Sequence, residues 1–180
     1  IKKPLISYYE HNKVAREPLL IEKLTNGENI ALVSDAGTPG ISDPGADLIK
    51  AATNAGIEVS MIPGPVAGIM ALVLSGLPTD KFVFEGFIGT DNKKRQEFAN
   101  KIVAETRTVI IYEAPHRLLK MLESMKKIFG ETRNVSISRE ITKKFEEHKR
   151  FTLKEAIEYY NDNSVKGEFV IIVEGSSEET

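Results

Sequence analysis

An α/β fold, built as two α/β domains with a ligand cleft between them, is what this 180-residue sequence predicts. Three observations carry the prediction. Short apolar runs alternate with segments of helical periodicity along the chain. Two strand-to-helix connections in the first half are long or rich in Gly and Pro, as ligand loops at the carboxyl edge of an open sheet are. Finally, Leu77-Pro78-Thr79-Asp80 interrupts the pattern as a hinge, which puts one domain at residues 1–79 and the other at 80–180.

The first domain opens with a strand at Leu5-Ile6-Ser7-Tyr8-Tyr9 and a helix near residues 14–26. Ile30-Ala31-Leu32-Val33 reads as a buried strand, and Ala46 to Ala52 as the helix that follows it. Between them lie Gly37, Gly40, Gly45, Pro39, Pro44, Asp35 and Asp43, in a connection longer than the usual ~2–6 residues. Glycine lets a backbone approach a ligand closely, and proline holds a loop open at low entropic cost. The alternative is a tight turn in which Ser42 or Asp43 caps the next helix. Ile57 to Ile62 repeats the strand, Pro63-Gly64-Pro65 stops it, and Val66 to Gly76 reads as a buried helix, apolar on nearly every side. Pro-Gly-Pro alone is equally a rigid strand exit.

In the second domain, Lys81 to Phe87 is a strand, residues 92–105 a charged helix and Thr108 to Tyr112 a strand. Leu118, Leu119, Leu122, Met125 and Phe129 share one face of a helix that Gly130 ends. Val135 to Ser138 and Phe169 to Val173 are further strands, with a helix at 153–160 between them.

Composition narrows the class. Hydrophobic residues make up 41% and charged residues 28%, as in soluble globular domains. The absence of cysteine excludes disulfides and thiolate chemistry. No run reaches the ~18 apolar residues of a membrane span and no signal peptide is visible, so the cytoplasm is expected. Dinucleotide, P-loop and serine-hydrolase motifs are missing, and His11, His116 and His148 lack metal-ligand spacing, so no metal is expected. Net charge is −2 overall, but residues 93–150 carry +7 and residues 151–180 carry −5. Lys93-Lys94-Arg95, Arg139, Lys143-Lys144 and Lys149-Arg150 are candidate anchors for a phosphate backbone. The competing reading is a set of solvated helix faces.

Ser34-Asp35-Ala36-Gly37-Thr38-Pro39-Gly40-Ile41-Ser42-Asp43-Pro44-Gly45, followed by Ile62-Pro63-Gly64-Pro65, closely resembles the tetrapyrrole methylase superfamily, the class III methyltransferases. Within it, the chain is similar to the ribosomal RNA small-subunit methyltransferase I group. The likeness continues in order through Gly76-Leu77-Pro78-Thr79-Asp80, Phe84-Glu85-Gly86-Phe87, Tyr112-Glu113-Ala114-Pro115-His116-Arg117, Ser138-Arg139-Glu140-Ile141-Thr142-Lys143 and Lys166-Gly167-Glu168-Phe169. The resemblance implies S-adenosyl-L-methionine as cofactor, held in the cleft between the domains. Asp35, Ala36, Gly37 and Thr38 are then expected on its methionine and ribose side, with Ile41 and Ser42 beside them and Pro65 and Ala67 closing the pocket. Phe87, Tyr112, Glu140 and Gly167 are the expected adenine contacts, core packing being the alternative for each.

The implied reaction is 2′-O-methylation of a cytidine in 16S RNA of the small ribosomal subunit. A ribose hydroxyl needs a base, and His11, Glu113 and His116 are the candidates; Glu113 pairing with Arg117, or His116 capping the next helix, are the alternatives. Lys93, Lys94, Arg95, Arg117, Arg139 and Lys143 are the candidate RNA contacts. A methyltransferase for a tetrapyrrole precursor and an RNA-binding module without catalysis are the rival functions. The chain starts at Ile1 and lacks the family's opening strand and loop. A fragment missing roughly the first quarter is therefore expected, weak in cofactor binding and turnover, pairing as a homodimer through the sheet edge left open.

Overall fold

The computed structural model describes residues 2–89 and 91–177, and for residues 92, 93, 95, 96 and 99 it describes the backbone alone. Two compact units emerge, Ile1–Val66 and Ala67–Thr180. The division falls ahead of the expected hinge at Leu77–Asp80. Its cause is helix α3 (Ala67–Ser75), which belongs to the second unit because Ala71 and Leu72 pack on Ile110, Val170 and Ile172 of the sheet there.

The first unit contains α1 (Lys13–Thr25) and α2 (Ala46–Asn54). Lys13 joins their ends, its Nζ lying 2.7 Å from Asp47 in the first turn of α2 and 3.0 Å from Glu10. The apolar segments at 5–9, 30–33 and 57–62, expected as strands, form no ladder among the described residues, and Val33, Met61 and Ile62 are exposed. Apolar content is a property of one segment, whereas a strand exists only once a neighbour accepts and donates its backbone hydrogen bonds.

The second unit is built on a five-stranded sheet of order β1-β2-β5-β3-β4. These are β1 (Phe82–Phe87), β2 (Thr108–Glu113), β3 (Asn134–Arg139), β4 (Glu147–Thr152) and β5 (Phe169–Val173). β1 and β2 run parallel, joined through α4 (Asn92–Ile102), and all other pairs are antiparallel. β5, the last strand in sequence, is the middle one in space, and all five of its residues are buried.

Cross-strand partners share a face of a sheet, so the register sorts the side chains. Val109, Ile111, Phe169, Ile171, Val173, Val135 and Ile137 face α5 (Leu118–Phe129) and α6 (Leu153–Asp162), forming the larger core with Leu118, Leu122, Met125 and Tyr160. Ile110, Val170 and Ile172 face α3. That helix, expected to be buried all round, buries only Gly68, Ala71, Leu72 and Ser75, one stripe at helical spacing, and leaves Ile69, Val73 and Leu74 exposed. A capping box starts α6: the Glu155 amide donates to Thr152 Oγ1 while the Thr152 amide donates to Glu155 Oε2.

β4 was not expected. Its sequence, Glu-His-Lys-Arg-Phe-Thr, has the charged character of an edge strand and reads as a basic run. Pairing with β3 makes it a strand, and that pairing reassigns two of the candidate phosphate anchors. Lys149 sits 3.6 Å from Glu147 and over the Tyr159 ring. Arg150 donates from Nε to Ser75 O at 2.7 Å and from Nη2 to Leu74 O at 2.6 Å. It thereby satisfies carbonyls at the C-terminus of α3, where unpaired acceptors and the helix dipole favour a cation. Arg150→Met should lower unfolding stability by roughly 1–3 kcal/mol, read by urea titration; an unchanged midpoint would show that solvent serves those carbonyls equally well.

Candidate functional site

In the first unit the two turn-rich segments are tied together. The Thr38 amide donates to Pro65 O at 3.0 Å and its hydroxyl to the same oxygen at 3.2 Å. The approach is close enough to exclude side chains: a Cβ on Gly37 (φ +75°) would lie 3.0 Å from Pro65 O, and one on Gly64 3.1 Å from Thr38 Oγ1. Ser34 Oγ donates to the carbonyls of Ala36 and Gly37, turning that backbone. Ser42 holds a left-handed φ of +57°. Asp35, Ala36, Gly37, Ile41, Ser42 and Pro65 remain exposed, and the Asp35 carboxylate has no partner among the described residues. The result is a braced backbone cradle with the Asp35 carboxylate exposed beside it, suited to a ligand that offers an ammonium or a diol. Of the eight cofactor candidates from residues 1–79, seven lie in this loop pair, whereas Ala67 is the first residue of α3 in the second unit.

In the second unit, strand register collects the remaining candidates at one end of the sheet. Phe87 pairs with Tyr112, Glu113 with Phe169, and Phe169 with Arg139, so the ends of β1, β2 and β3 and the start of β5 lie side by side. Tyr112 is the hub on the α3 side. Its hydroxyl accepts the Gly68 amide at 2.9 Å, and a Cβ on Gly68 would stand 3.2 Å from that oxygen. The Phe84 and Phe87 rings meet it edge-on at 5.1 and 5.6 Å. A register shift between Phe84 and Gly86 puts both phenylalanines against one ring, and the glycine inside a strand was its sequence signal.

Glu140 and Gly167 make a second close approach. Glu140 sits at φ +51°, Gly167 at φ +91°, and a Cβ on Gly167 would fall 2.5 Å from Glu140 Cγ. Glu140 Oε1 accepts the Glu168 amide at 2.9 Å, and the Glu140 amide donates to Glu168 O at 3.0 Å. Lys143 Nζ bridges Glu140 and Glu168 at 3.1 and 2.8 Å. The Glu168 amide first, and then Lys143, hold the Glu140 carboxyl below its ordinary 4.5.

Several candidates are already engaged. Glu113 is 2% exposed; its Oε1 accepts Arg117 Nε at 2.7 Å and the Ala114 amide at 2.8 Å, while Oε2 is buried without a partner among the described residues. Arg139 reaches Glu147 at 3.6 Å, and its Nε is likewise buried and unpartnered. Arg117 and Lys143 therefore hold carboxylates, not open surface. Lys94 lies 3.9 Å from Asp91, whereas the Lys93 and Arg95 side chains lie outside the described residues. His116, in the 3-10 turn Pro115–Arg117, is exposed and caps nothing; His11, exposed in the turn before α1, meets only the edge of Tyr9. His148 bonds Ser138 Oγ at 2.9 Å and Glu146 Oε1 at 2.8 Å, but Ser138 is wholly buried and cannot act as a nucleophile.

A mixed sheet with helices on both faces, preceded by a Gly/Pro loop pair, is the architecture of class III methyltransferases. The chain belongs to the tetrapyrrole (corrin/porphyrin) methylase family, which it matches over residues 6–157. Among curated relatives, it is 50% identical to the ribosomal RNA small subunit methyltransferase I of Synechocystis sp. over 99% of this chain and 64% of that protein. It is 44% identical to the Bacillus subtilis protein of the same name, over 99% of this chain and 61% of that one. The chain thus spans about three fifths of the length of these relatives. Among solved structures, the methyltransferase CobJ superposes with a TM-score of 0.66 at 19% identity, covering 91% of this chain and 72% of that one. A Thermus thermophilus uroporphyrin-III C-methyltransferase, solved with S-adenosyl homocysteine, gives 0.58 at 15% over 92% and 74%. At these identities the likeness is one of fold. No helix among the described residues is long and apolar enough to cross a membrane.

Two expectations follow for the Glu140–Gly167 contact. Gly167→Ala should displace Glu140 and destabilise the protein by more than about 1 kcal/mol, since Ala is strained at positive φ; thermal unfolding measures this. Because the folded Glu140 carboxyl lies below 4.5, its contribution is complete above that pH and is lost as pH falls through the lower folded value. An NMR titration of the Glu168 amide should show its bond to Glu140 surviving below pH 4.5; a midpoint at or above that value would contradict the assignment.

Proposed function

We propose that this protein is an S-adenosyl-L-methionine-dependent methyltransferase acting on small-subunit ribosomal RNA, with the ribose 2′-hydroxyl of a cytidine in 16S RNA as acceptor. One observation carries the substrate class. Identity is 50% and 44% to curated proteins named for that RNA, against 15% to the uroporphyrin-III C-methyltransferase. Those numbers favour RNA over a tetrapyrrole precursor.

The cradle fits the cofactor. Asp35 offers a carboxylate to an ammonium or ribose diol, and the exposed backbone of Ala36, Gly37, Ile41 and Ser42 offers amides and carbonyls without side-chain bulk. Thr38 and Pro65 set the loop spacing. When bound, the cofactor supplies an electrophilic methyl group on a sulfonium. The protein's part is to align the acceptor and exclude water, worth up to ~7–11 kcal/mol when reactants are held ready to react.

A base that accepts the ribose hydroxyl proton adds about 10²–10⁴-fold. Glu113 is buried and committed to Arg117, so it is not the proposed base. His116 and His11 are exposed, and one of these two imidazoles is proposed as the proton acceptor.

Three measurements test this reading. Gly37→Val would push a branched side chain toward Pro65 O and should weaken S-adenosylmethionine binding by calorimetry while the helical circular dichroism persists; unchanged affinity would remove the cradle from the cofactor site. Labelled methyl transfer to unmethylated small ribosomal subunits, followed by nucleotide mapping, tests the reaction. Charge reversal of Lys93, Lys94 and Arg95 together should weaken subunit binding and flatten its salt dependence by close to one unit per lost phosphate contact, leaving cofactor affinity unchanged.

A further inference from the structure

The connection between β3 and β4, residues 140–146, leaves the sheet at the same end as Tyr112 and Gly167, and its seven residues are closely braced. Two of its residues, Glu140 and Thr142, hold left-handed backbone at φ +51° and +66° without being glycine. Such conformations persist only where surroundings over-determine them, and they collect at functional sites. Here the surroundings are two carboxylates. Glu140 is clamped to the Glu168 amide and Lys143. Glu146 accepts the Thr142 amide through one oxygen and binds His148 through the other, and His148 is in turn held by buried Ser138. The amide of Lys143 donates to Glu140 O, and that of Glu146 to Lys143 O.

All of this bracing presents one side chain outward. Phe145 is 64% exposed, more than any other aromatic residue among those described, and lies in a loop with no strand or helix to cover it. Lys144 Nζ stands 5.6 Å from its ring centroid and pairs with no carboxylate among the described residues. Phe145 gains no burial from the described residues, so its ring is left available for a further contact. An aromatic face beside an uncommitted cation suits a ligand that is both flat and anionic. Single-stranded nucleic acids meet both conditions: bases stack on aromatic rings while lysine meets the backbone phosphate.

We propose that Phe145, flanked by Lys144, is a stacking platform for one unpaired base of the RNA substrate. The inference rests on the reading of the substrate as RNA and adds to it a residue and a structural requirement: the base must be unpaired. Rigid preorganisation of the loop keeps the ordering cost of such a contact low.

The test uses the intact chain and two labelled probes, a single-stranded hexaribonucleotide and a blunt-ended RNA hairpin, titrated by fluorescence anisotropy. Phe145→Ala should weaken binding to the hexanucleotide roughly tenfold, within the range for aromatic–base stacking, with little change for the hairpin stem. Phe145→Trp should retain affinity, and Lys144→Gln should lower the salt slope on the single strand by about 0.7, whereas Phe145→Ala leaves that slope intact. If wild type binds the hexanucleotide and Phe145→Ala binds it equally, the stacking platform is overturned while the RNA reading stands, and the ring serves a protein contact instead. Equal loss on both probes also overturns stacking. A wild type that binds neither probe overturns the platform, whereas the RNA reading falls only if methyl transfer to ribosomal subunits also fails.

Discussion

Everything positioned in the second unit depends on β5. All five of its residues are buried, and it pairs with β2 on one side and β3 on the other. Without it, β1-β2 and β3-β4 are separate ribbons, and a two-stranded ribbon is marginal in water. Because β5 follows β2 and β3 in sequence yet lies between them in space, its pairing closes long loops, which costs chain entropy that burial must offset. A buried Phe-Val-Ile-Ile-Val strand supplies that compensation on both faces.

The same closure gathers the candidate site. Glu113, Phe169 and Arg139 stand in one row across three strands, and the residues just beyond the row are those that bend sharply. Gly167 lacks a side chain because Glu140 occupies the space, much as Gly37 and Gly64 lack one because Pro65 and Thr38 do. In both units a glycine permits a close approach, and hydrogen bonds fix it: Thr38 to Pro65 O in the first, the Glu168 amide to Glu140 in the second.

Charge behaves differently from its formal count. The +7 of residues 93–150 suggested a broad phosphate-binding surface, yet folding spends much of it. Arg117 holds Glu113, Arg139 holds Glu147, Lys143 holds Glu140 and Glu168, and Arg150 closes α3. Such partly buried pairs contribute geometry more than affinity for a ligand. Lys144 keeps its charge uncommitted and sits beside the exposed Phe145 ring.

Local patterns were enough for the helices and for the apolar strands β1, β2, β3 and β5, because 3.6-residue and continuous apolar periodicities are written into consecutive residues. The Gly/Pro loop pair was equally legible, since turn chemistry is local, and its motif order carried the family. β4 was invisible: Glu147 to Thr152 is charged, and only hydrogen bonds from β3 make it a strand. The converse holds at residues 30–33 and 57–62, where apolar sequence without a ladder forms no strand among the described residues. Sequence offered the pairing of Glu113 with Arg117, four residues apart, as an alternative to function, but it could not say that Glu140 binds Lys143 and, 28 residues away, the Glu168 amide. Composition and periodicity determine which segments can bury or turn; which charge meets which, and which ring is left in water, is decided by contacts between distant residues that exist only once the chain has folded.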